Sequence, residues 1–181
     1  MTKEQYLVQG CIDKNINAQR ELYELYAAKM LSVCTRYMCD EDEARDAMHD
    51  GFVRLFDKIQ KFDQKGSFEG WIRKLFVNVC LGKLRISKKV MHESIRYEDD
   101  NEMEIIDESI SDVYKQLEAK ELMLFIRELP KSFRSVFNLH AIEGYSHSEI
   151  AKRLGITHSA SRAAYFRARV LLKEKIKLMY K

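Results

Sequence analysis

Residues 145–169 read YSHSEIAKRLGITHSASRAAYFRAR, and this stretch decides the fold of the C-terminal part of the chain. Ser146 and Glu149 have the spacing of a capping box, in which a hydroxyl and a carboxylate satisfy the unpaired N–H groups at a helix start. Gly155 stands where a short helix needs a left-handed residue, and Thr157 can cap the helix that follows. The stretch therefore predicts two helices joined by a tight turn.

The first predicted helix has about eight residues, the turn about three, and the second helix is longer and basic, which is the helix-turn-helix pattern. Ala151 is small enough to let the second helix cross the first closely, and Ile156 fills the gap between them. The second helix turns apolar side chains inward, namely Tyr165, Ala168, Leu172 and Ile176. It turns basic side chains outward, namely Arg162, Arg167, Arg169 and Lys173. This basic face favours DNA binding over an ordinary helical pair whose charges are only solvated.

The composition of the whole chain favours helices. Its 181 residues suffice for one ordinary domain or two small ones, and 46% of them are hydrophobic. Only seven Gly and one Pro interrupt a sequence rich in helix-forming residues. No uncharged run reaches ten residues, which argues against a membrane-spanning helix and against a secretory signal. We expect an all-α, soluble, cytoplasmic protein without membrane insertion.

Charge divides the chain into three blocks. Residues 1–89 carry 16 basic and 13 acidic side chains, residues 90–116 carry 2 and 9, and residues 117–181 carry 13 and 6. The acidic middle block has few aliphatic residues and no sustained period, so it cannot fold alone. We interpret it as a linker between two small helical domains, although a solvated acidic loop without a partner fits the composition equally well.

Three further helices are predicted in the N-terminal block. The first follows Asn17 as N-cap and carries Leu22, Leu25, Tyr26, Met30, Val33 and Tyr37. The second follows the capping pair Asp40 and Glu43 and carries Ala44, Ala47, Met48, Phe52, Leu55, Phe56 and Ile59. The third starts near Ser67, after Gly66, and carries Phe68, Ile72, Leu75 and Val79. In the C-terminal block, Pro130 suits a helix entry, and that helix ends at Gly144.

Two possible metal sites are weak. The four cysteines, Cys11, Cys34, Cys39 and Cys80, form no C-x-x-C pair, so we expect reduced, half-buried thiols. Glu43, Asp46 and Asp50 share one side of a helix, as in some metal-dependent nucleases, but acids near a helix start are favourable through the helix dipole alone. We therefore predict no metal, no cofactor and no catalytic residue.

Two separated stretches resemble the extracytoplasmic-function class of RNA polymerase sigma factors, and the resemblance covers nearly the whole chain. The N-terminal stretch comprises residues 42–52 and 66–73 with Asn78. The C-terminal stretch comprises residues 129–130, 143–146, 149–151, 154–156 and 167–169. Two features depart from the family pattern: His49 replaces a common Gln, and residues 158–165 lack the usual Thr-Val-Lys-Ser-Arg run. The departures leave the promoter sequence open.

The resemblance implies that the C-terminal domain reads the minus-thirty-five promoter element. Side chains near the start of a recognition helix reach base edges, so His158, Ser159, Arg162 and Ala163 are the base-facing candidates. Arg167, Arg169 and Lys173 are better placed for phosphates, although a structural ion pair is an alternative for Arg169. The full predicted DNA site of this domain also includes the helix-capping residues Ser146 and Thr157.

The resemblance assigns two surfaces to the N-terminal domain. One surface recognises and melts the minus-ten element: its cations follow the DNA backbone, and a pocket holds an unstacked base. The residues predicted for this surface are Lys65, Ser67, Arg73, Lys74, Asn78, Lys83 and Arg85. The other binds the polymerase; its predicted residues are Asp46, His49, Asp50, Phe52 and Phe56. Core packing competes with polymerase binding for the two Phe residues. Trp71 is better explained as a core anchor than as a DNA contact.

The predicted function is that of a sigma factor whose partners are core RNA polymerase, promoter DNA and an anti-sigma factor. The acidic linker would thread through the polymerase cleft, as the corresponding segment does in members of the family. One alternative is a helix-turn-helix regulator that is not a polymerase subunit and uses its N-terminal half as a sensor. Another is a helical adaptor that binds only protein and leaves its basic face unused.

Overall fold

The structure is a computed structural model that describes residues 2–63, 65–84 and 119–179. It divides into two compact units, residues 1–84 and residues 85–181. The all-α prediction is confirmed, because every regular element in the described ranges is helical. The residues of the predicted acidic linker lie outside these ranges, and so does Arg85. None of the helices that the structure describes is long and apolar enough to cross a membrane.

The N-terminal unit begins with a helix that the sequence analysis did not predict, α1 (Lys3–Ile12). The Thr2 hydroxyl accepts from the Gln5 N–H at 3.2 Å, and the Thr2 N–H donates to the Gln5 side chain at 2.8 Å. This is a capping box, and its Thr-x-x-Gln spacing is the signal that would have revealed the helix. The helix buries Leu7, Val8 and Cys11, so it belongs to the core of the unit.

Helix α2 (Ile16–Tyr37) starts two residues earlier than predicted. Its N-cap is Asn15 and not Asn17, because the Asn15 side chain accepts from the N–H groups of Asn17 and Ala18 at 2.9 and 3.2 Å. The predicted stripe is buried except for Leu25, which is 49% exposed. The prediction for Leu25 was therefore wrong: its neighbour Tyr26 occupies the inward position on that turn and hydrogen-bonds Glu4.

Helix α3 (Glu41–Lys58) is followed by a 3₁₀ turn (Ile59–Lys61), and α4 (Phe68–Leu84) completes the unit. The Asp40 carboxylate caps α3 by accepting from the Glu43 N–H at 2.7 Å, as predicted. The Glu43 carboxylate accepts from Cys39 instead of Asp40, so the capping is not reciprocal. The Ser67 hydroxyl caps α4 by accepting from the Gly70 N–H at 3.2 Å, which confirms the predicted start.

Aromatic side chains fill the space between these helices. The Phe52 ring lies 4.5 Å from Tyr23, 6.2 Å from Phe56 and 5.1 Å from Phe76, measured between centroids. Helix α3 can approach α4 this closely because residue 51 is Gly: a Cβ there would come 2.4 Å from the Phe76 ring. Tight packing of this kind tolerates little added volume.

Three of the four thiols belong to the core, so the prediction of half-buried cysteines was wrong. Cys11, Cys34 and Cys80 are buried, Cys39 is exposed, and none forms a disulfide. Burial raises the pKa of the Cys11 thiol to about 11. A hydrogen bond with Cys34, together with burial, raises the pKa of the Cys80 thiol. Within the described ranges, no group of three or more His, Cys, Asp or Glu is arranged to hold a metal ion.

The C-terminal unit contains α5 (Ala119–Glu128), α6 (Lys131–Phe137), α7 (His147–Leu154) and α8 (His158–Met179). Pro130 precedes α6 in an extended conformation, which suits the residue before a helix. A π-helical segment (Asn138–Ile142) prolongs α6, and Gly144, with φ 76°, ends it as predicted. The core is mostly aliphatic and includes Ile126, Leu129, Val136, Leu139, Ile150, Leu172 and Ile176.

Candidate nucleic-acid interface

The start of α7 is held by the predicted capping box. The Glu149 carboxylate accepts from the Ser146 hydroxyl at 2.7 Å and from the Ser146 N–H at 2.8 Å, while the Glu149 N–H donates back to Ser146 Oγ at 3.3 Å. These hydrogen bonds hold the pKa of Glu149 below its usual range. The hydroxyl of Ser146, predicted as a DNA contact, is thus engaged in fixing the helix.

The turn between α7 and α8 has the predicted left-handed glycine. Gly155 adopts φ 66° and ψ 36°, and the Ile156 N–H donates to the Ala151 carbonyl at 3.0 Å. The Thr157 hydroxyl then caps α8 by accepting from the Ala160 N–H at 3.0 Å. Ala151 is buried and Ile156 half-buried, so the two helices cross closely, as the sequence suggested.

The first turns of α8 carry the exposed side chains. Thr157, His158, Ser159 and Arg162 are exposed, whereas Ala160, Ser161 and Ala164 pack inward. Ala163 and the predicted phosphate contacts Arg167, Arg169 and Lys173 are half-buried, so the outward orientation predicted for the three cations is only partly met. Tyr165 is likewise half-buried, and the Arg169 guanidinium lies 5.9 Å from its ring centroid. The most accessible surface is therefore the N-terminal part of the helix.

Three histidines gather beside this surface, which sequence reasoning missed. The His140 and His147 rings stack with centroids 4.2 Å apart, and the His158 ring meets His147 edge-on at 6.0 Å. A hydrogen bond of 2.9 Å joins His147 Nδ1 to Ser161 Oγ, so the start of α7 is tied to α8. His140 Nδ1 donates to the Tyr145 carbonyl at 2.8 Å. These residues are far apart in sequence, so no local pattern indicated the cluster.

The electrostatics of His147 follow from its surroundings. Burial lowers the pKa of its imidazole, and the nearby His140, His158 and Arg162 lower the pKa further because they oppose a second positive charge. These surroundings therefore favour the neutral form of the ring. A neutral imidazole can stack on His140 and bond Ser161 at the same time.

The residues predicted to contact the minus-ten element lie on α4 and on the loop before it. Lys65 and Ser67 are exposed in that loop, although the Ser67 hydroxyl caps α4. Lys74 and Asn78, four residues apart, are exposed neighbours on the helix surface, and Arg73 is half-buried. Trp71 is half-buried and packs against Phe62 and Phe68, with centroids 5.5 and 5.8 Å apart, as an anchor for the loop.

The residues predicted to bind polymerase lie on α3, and they do not all reach the surface. Asp46, His49 and Asp50 are exposed on this helix, and Phe56 is half-buried. Phe52 is only 3% exposed and packs inside the aromatic cluster, so it cannot contact a partner, and its assignment was wrong. Its position in the apolar stripe of α3 fits a core residue as well as an anchor.

The C-terminal unit consists of a short helix, a left-handed glycine turn and a longer helix whose first turns are exposed and partly basic. These features define it as a helix-turn-helix of the DNA-binding class. Comparison with known families agrees with this geometry. Residues 22–90 match the family described as Sigma-70 region 2, and residues 119–172 match Sigma-70, region 4. The chain belongs to the extracytoplasmic-function class of RNA polymerase sigma factors.

Individual relatives are distant. The ECF RNA polymerase sigma factor SigE of Mycolicibacterium smegmatis is 27% identical over 155 residues, which are 85% of this chain and 60% of that protein. The ECF RNA polymerase sigma-E factor of Haemophilus influenzae is 22% identical over 184 residues, covering 96% of this chain and 97% of that protein. The sigma factor RpoE of Bartonella quintana, solved in complex with the anti-sigma factor NepR, has the same fold, with a TM-score of 0.52 and 16% identity over 87% of this chain and 96% of that one.

Proposed function

We propose that this protein directs core RNA polymerase to specific promoters, and that it does so in the cytoplasm without catalytic activity or a cofactor of its own. The observation that carries the proposal is the presence, on one chain, of a region 2 match over residues 22–90 and a region 4 match over residues 119–172. A regulator that only binds DNA needs a DNA-reading domain such as region 4, but it has no use for region 2. The relatives named as RNA polymerase sigma factors support the same function.

The C-terminal domain, proposed as residues 117–181, would read the minus-thirty-five element. A major groove admits one α-helix, and side chains near its start reach base edges. The exposure of His158, Ser159 and Arg162 supports a role in base reading. The half-buried cations further along α8 would contact phosphates, which position the domain without specifying sequence.

The N-terminal domain, proposed as residues 1–89, would bind polymerase and open the minus-ten element. Exposed acids on α3, Asp46 and Asp50, offer a negative surface to a basic partner. On α4, Lys74 and Asn78 offer a cation and an amide to a single strand held open. The acidic residues 90–116 would link the two domains across the polymerase.

An anti-sigma factor is the further proposed partner. The Bartonella relative of the same fold was solved with such a protein bound. A protein of that kind would cover surfaces used for polymerase or DNA and so withhold the sigma factor until a signal releases it.

Reconstituted transcription tests the proposed function. The purified chain is mixed with bacterial core polymerase and genomic fragments, and transcripts are mapped to their start sites. We expect starts at a defined set of sequences that core polymerase alone does not use. A chain that neither binds core polymerase nor changes start-site choice would refute the proposal. A steep loss of DNA binding with salt would exclude the protein-only adaptor, because phosphate contacts release counterions.

A further inference from the structure

His147 occupies a junction of three elements in the C-terminal unit. It is the first residue of α7, its ring stacks on His140 of the π-helical segment, and its Nδ1 bonds Ser161 of α8. Ser161 is fully buried and lies one residue before Arg162, the exposed cation proposed to reach base edges. The imidazole thus joins the scaffold to the turn of α8 that would enter the groove.

The partners of His147 on the neighbouring elements are themselves held in place. His140 donates to the Tyr145 carbonyl at 2.8 Å, and the Tyr165 ring lies 4.6 Å from His140 and 5.7 Å from His147. The direction of the first turns of α8 therefore depends on a ring cluster as well as on the glycine turn. Small displacements of a recognition group weaken specific contacts more than they weaken phosphate contacts, which are sequence-independent.

We infer that His147 is a positioning residue for promoter recognition, which fixes the direction of the first turns of α8 through Ser161 and His140 and does so as the neutral imidazole. The inference rests on the proposed promoter-reading function and adds a residue that itself need not touch DNA.

The charged state of His147 is disfavoured in the same arrangement. The groups that face the ring are His140 from the π-helical segment and His158, Arg162 and Tyr165 from α8. His140, His158 and Arg162 all oppose a positive charge on His147, so an imidazolium there is disfavoured by groups on two elements. It is also partly removed from water, which disfavours the charge further. Protonation should therefore loosen the junction.

Loosening of the junction and an added positive charge on His147 have opposite effects on promoter binding. An experiment can therefore distinguish them. An extra cation beside the groove strengthens binding to every sequence. Misalignment of α8 weakens binding to the promoter alone. The ratio of affinities for promoter and scrambled duplexes cancels the first effect and reports the second.

The test measures this ratio for holoenzyme assembled from the full chain and core polymerase, between about pH 8 and about pH 5.5, the range in which His titrates. For the wild-type chain we expect the ratio to fall with pH while affinity for the scrambled duplex is kept or increased. His147→Phe retains an aromatic ring but cannot bond Ser161 or titrate. Its ratio should already be lower at the higher pH, by about fivefold, the factor for one ordinary hydrogen bond, and should not change further with pH.

Two matched variants isolate the cause. Ser161→Ala removes the other end of the hydrogen bond and should lower the ratio at the higher pH by a similar factor, which keeps the test available if His147→Phe does not fold. His158→Asn removes the other nearby imidazole of the DNA surface and should lower the ratio while keeping its dependence on pH. Circular dichroism at each pH checks that each variant is folded.

The outcomes are decisive. A wild-type ratio that does not change with pH, a pH dependence that persists in His147→Phe, or one that disappears in His158→Asn would overturn the inference. An unchanged ratio in Ser161→Ala would do the same. If the wild-type holoenzyme shows no promoter preference even at the higher pH, the proposed function itself fails and this inference fails with it.

Discussion

Lys83 Nζ lies 2.7 Å from Asp50 Oδ2, so an ion pair joins the end of α4 to the middle of α3. The hydrogen bond to the Asp50 carboxylate raises the pKa of Lys83. Both side chains are partly exposed, and a pair of this kind contributes little to stability. The pair joins the two proposed surfaces of this unit, because Lys83 is a proposed promoter contact and Asp50 a proposed polymerase contact. A partner that binds one of the two side chains breaks the ion pair and leaves the other side chain available for a second partner.

The first prediction concerns the acidic surface of α3. Asp46→Arg should weaken binding to core polymerase, because a reversed charge opposite a basic partner costs several kcal/mol. Asp50→Arg should weaken it as well and also release Lys83. Pull-down with core polymerase measures the effect, and circular dichroism checks the helical content. Asp13→Arg reverses the charge of an exposed side chain at the end of α1 and serves as the control. Unaltered pull-down of both α3 variants would contradict the proposed interface.

The second prediction separates two cations of α8. Arg162→Ala should relax promoter preference, since a good bidentate base contact provides about 1–3 kcal/mol of discrimination. Arg169→Ala should instead weaken binding to all sequences nearly equally and make the log-log salt slope shallower by about one unit. Holoenzyme binding to promoter and scrambled duplexes over a salt series distinguishes the two. Equal loss of specificity in both variants, or none in either, would require a different docking of the helix.

The third prediction uses two glycines with opposite surroundings. Gly51→Ala adds a methyl group where the Phe76 ring stands 2.4 Å away, so it should lower the free energy of unfolding of the N-terminal unit by about 1–3 kcal/mol. Gly82→Ala on α4 meets no atom within 4 Å and should raise it by about 0.5–1 kcal/mol, because Ala favours a helix. Urea unfolding followed through the fluorescence of Trp71, the only tryptophan in the sequence, reports on this unit. A neutral effect at Gly51 would mean that α3 and α4 separate more easily than their packing indicates.

The fourth prediction concerns pH and the stability of the C-terminal unit. The pKa values of His147 and Glu149 are both lowered in the folded chain, so the unfolded chain takes up protons first and stability decreases as the pH falls. The His147 contribution should be lost from about pH 6.5 downward and that of Glu149 from about pH 4.5 downward. Urea midpoints from circular dichroism at a series of pH values measure both losses. His147→Phe should abolish the loss of stability that begins near pH 6.5. Glu149→Gln, which preserves the capping geometry, should abolish the loss that begins near pH 4.5. A pH curve that neither substitution changes would contradict these assignments.

Local signals predicted most of the helix-turn-helix. A capping box, a left-handed glycine and a capping threonine each act within a few residues, and the structure has all three at Ser146, Gly155 and Thr157. The same reasoning failed for α1, whose capping box was present but whose short apolar pattern was not recognised.

Properties that depend on tertiary packing were not accessible in this way. Helical periodicity placed Phe52 and Phe56 in one apolar stripe, but only the approach of α4 decides that Phe52 is enclosed and Phe56 partly exposed. Likewise, the contacts of His147 with His140 and Ser161 join residues seven and fourteen positions away. A pattern of apolar and polar residues carries no information about such pairings.

The unequal burial of the four thiols provides a chemical reporter of opening. A thiolate attacks an alkylating reagent and displaces its halide, so the exposed Cys39 should react in the native chain. Cys34 and Cys80 are fully enclosed between α2 and α4, and they can react only when the helices part. The rate at which iodoacetamide modifies this inner pair therefore measures how often the N-terminal unit opens.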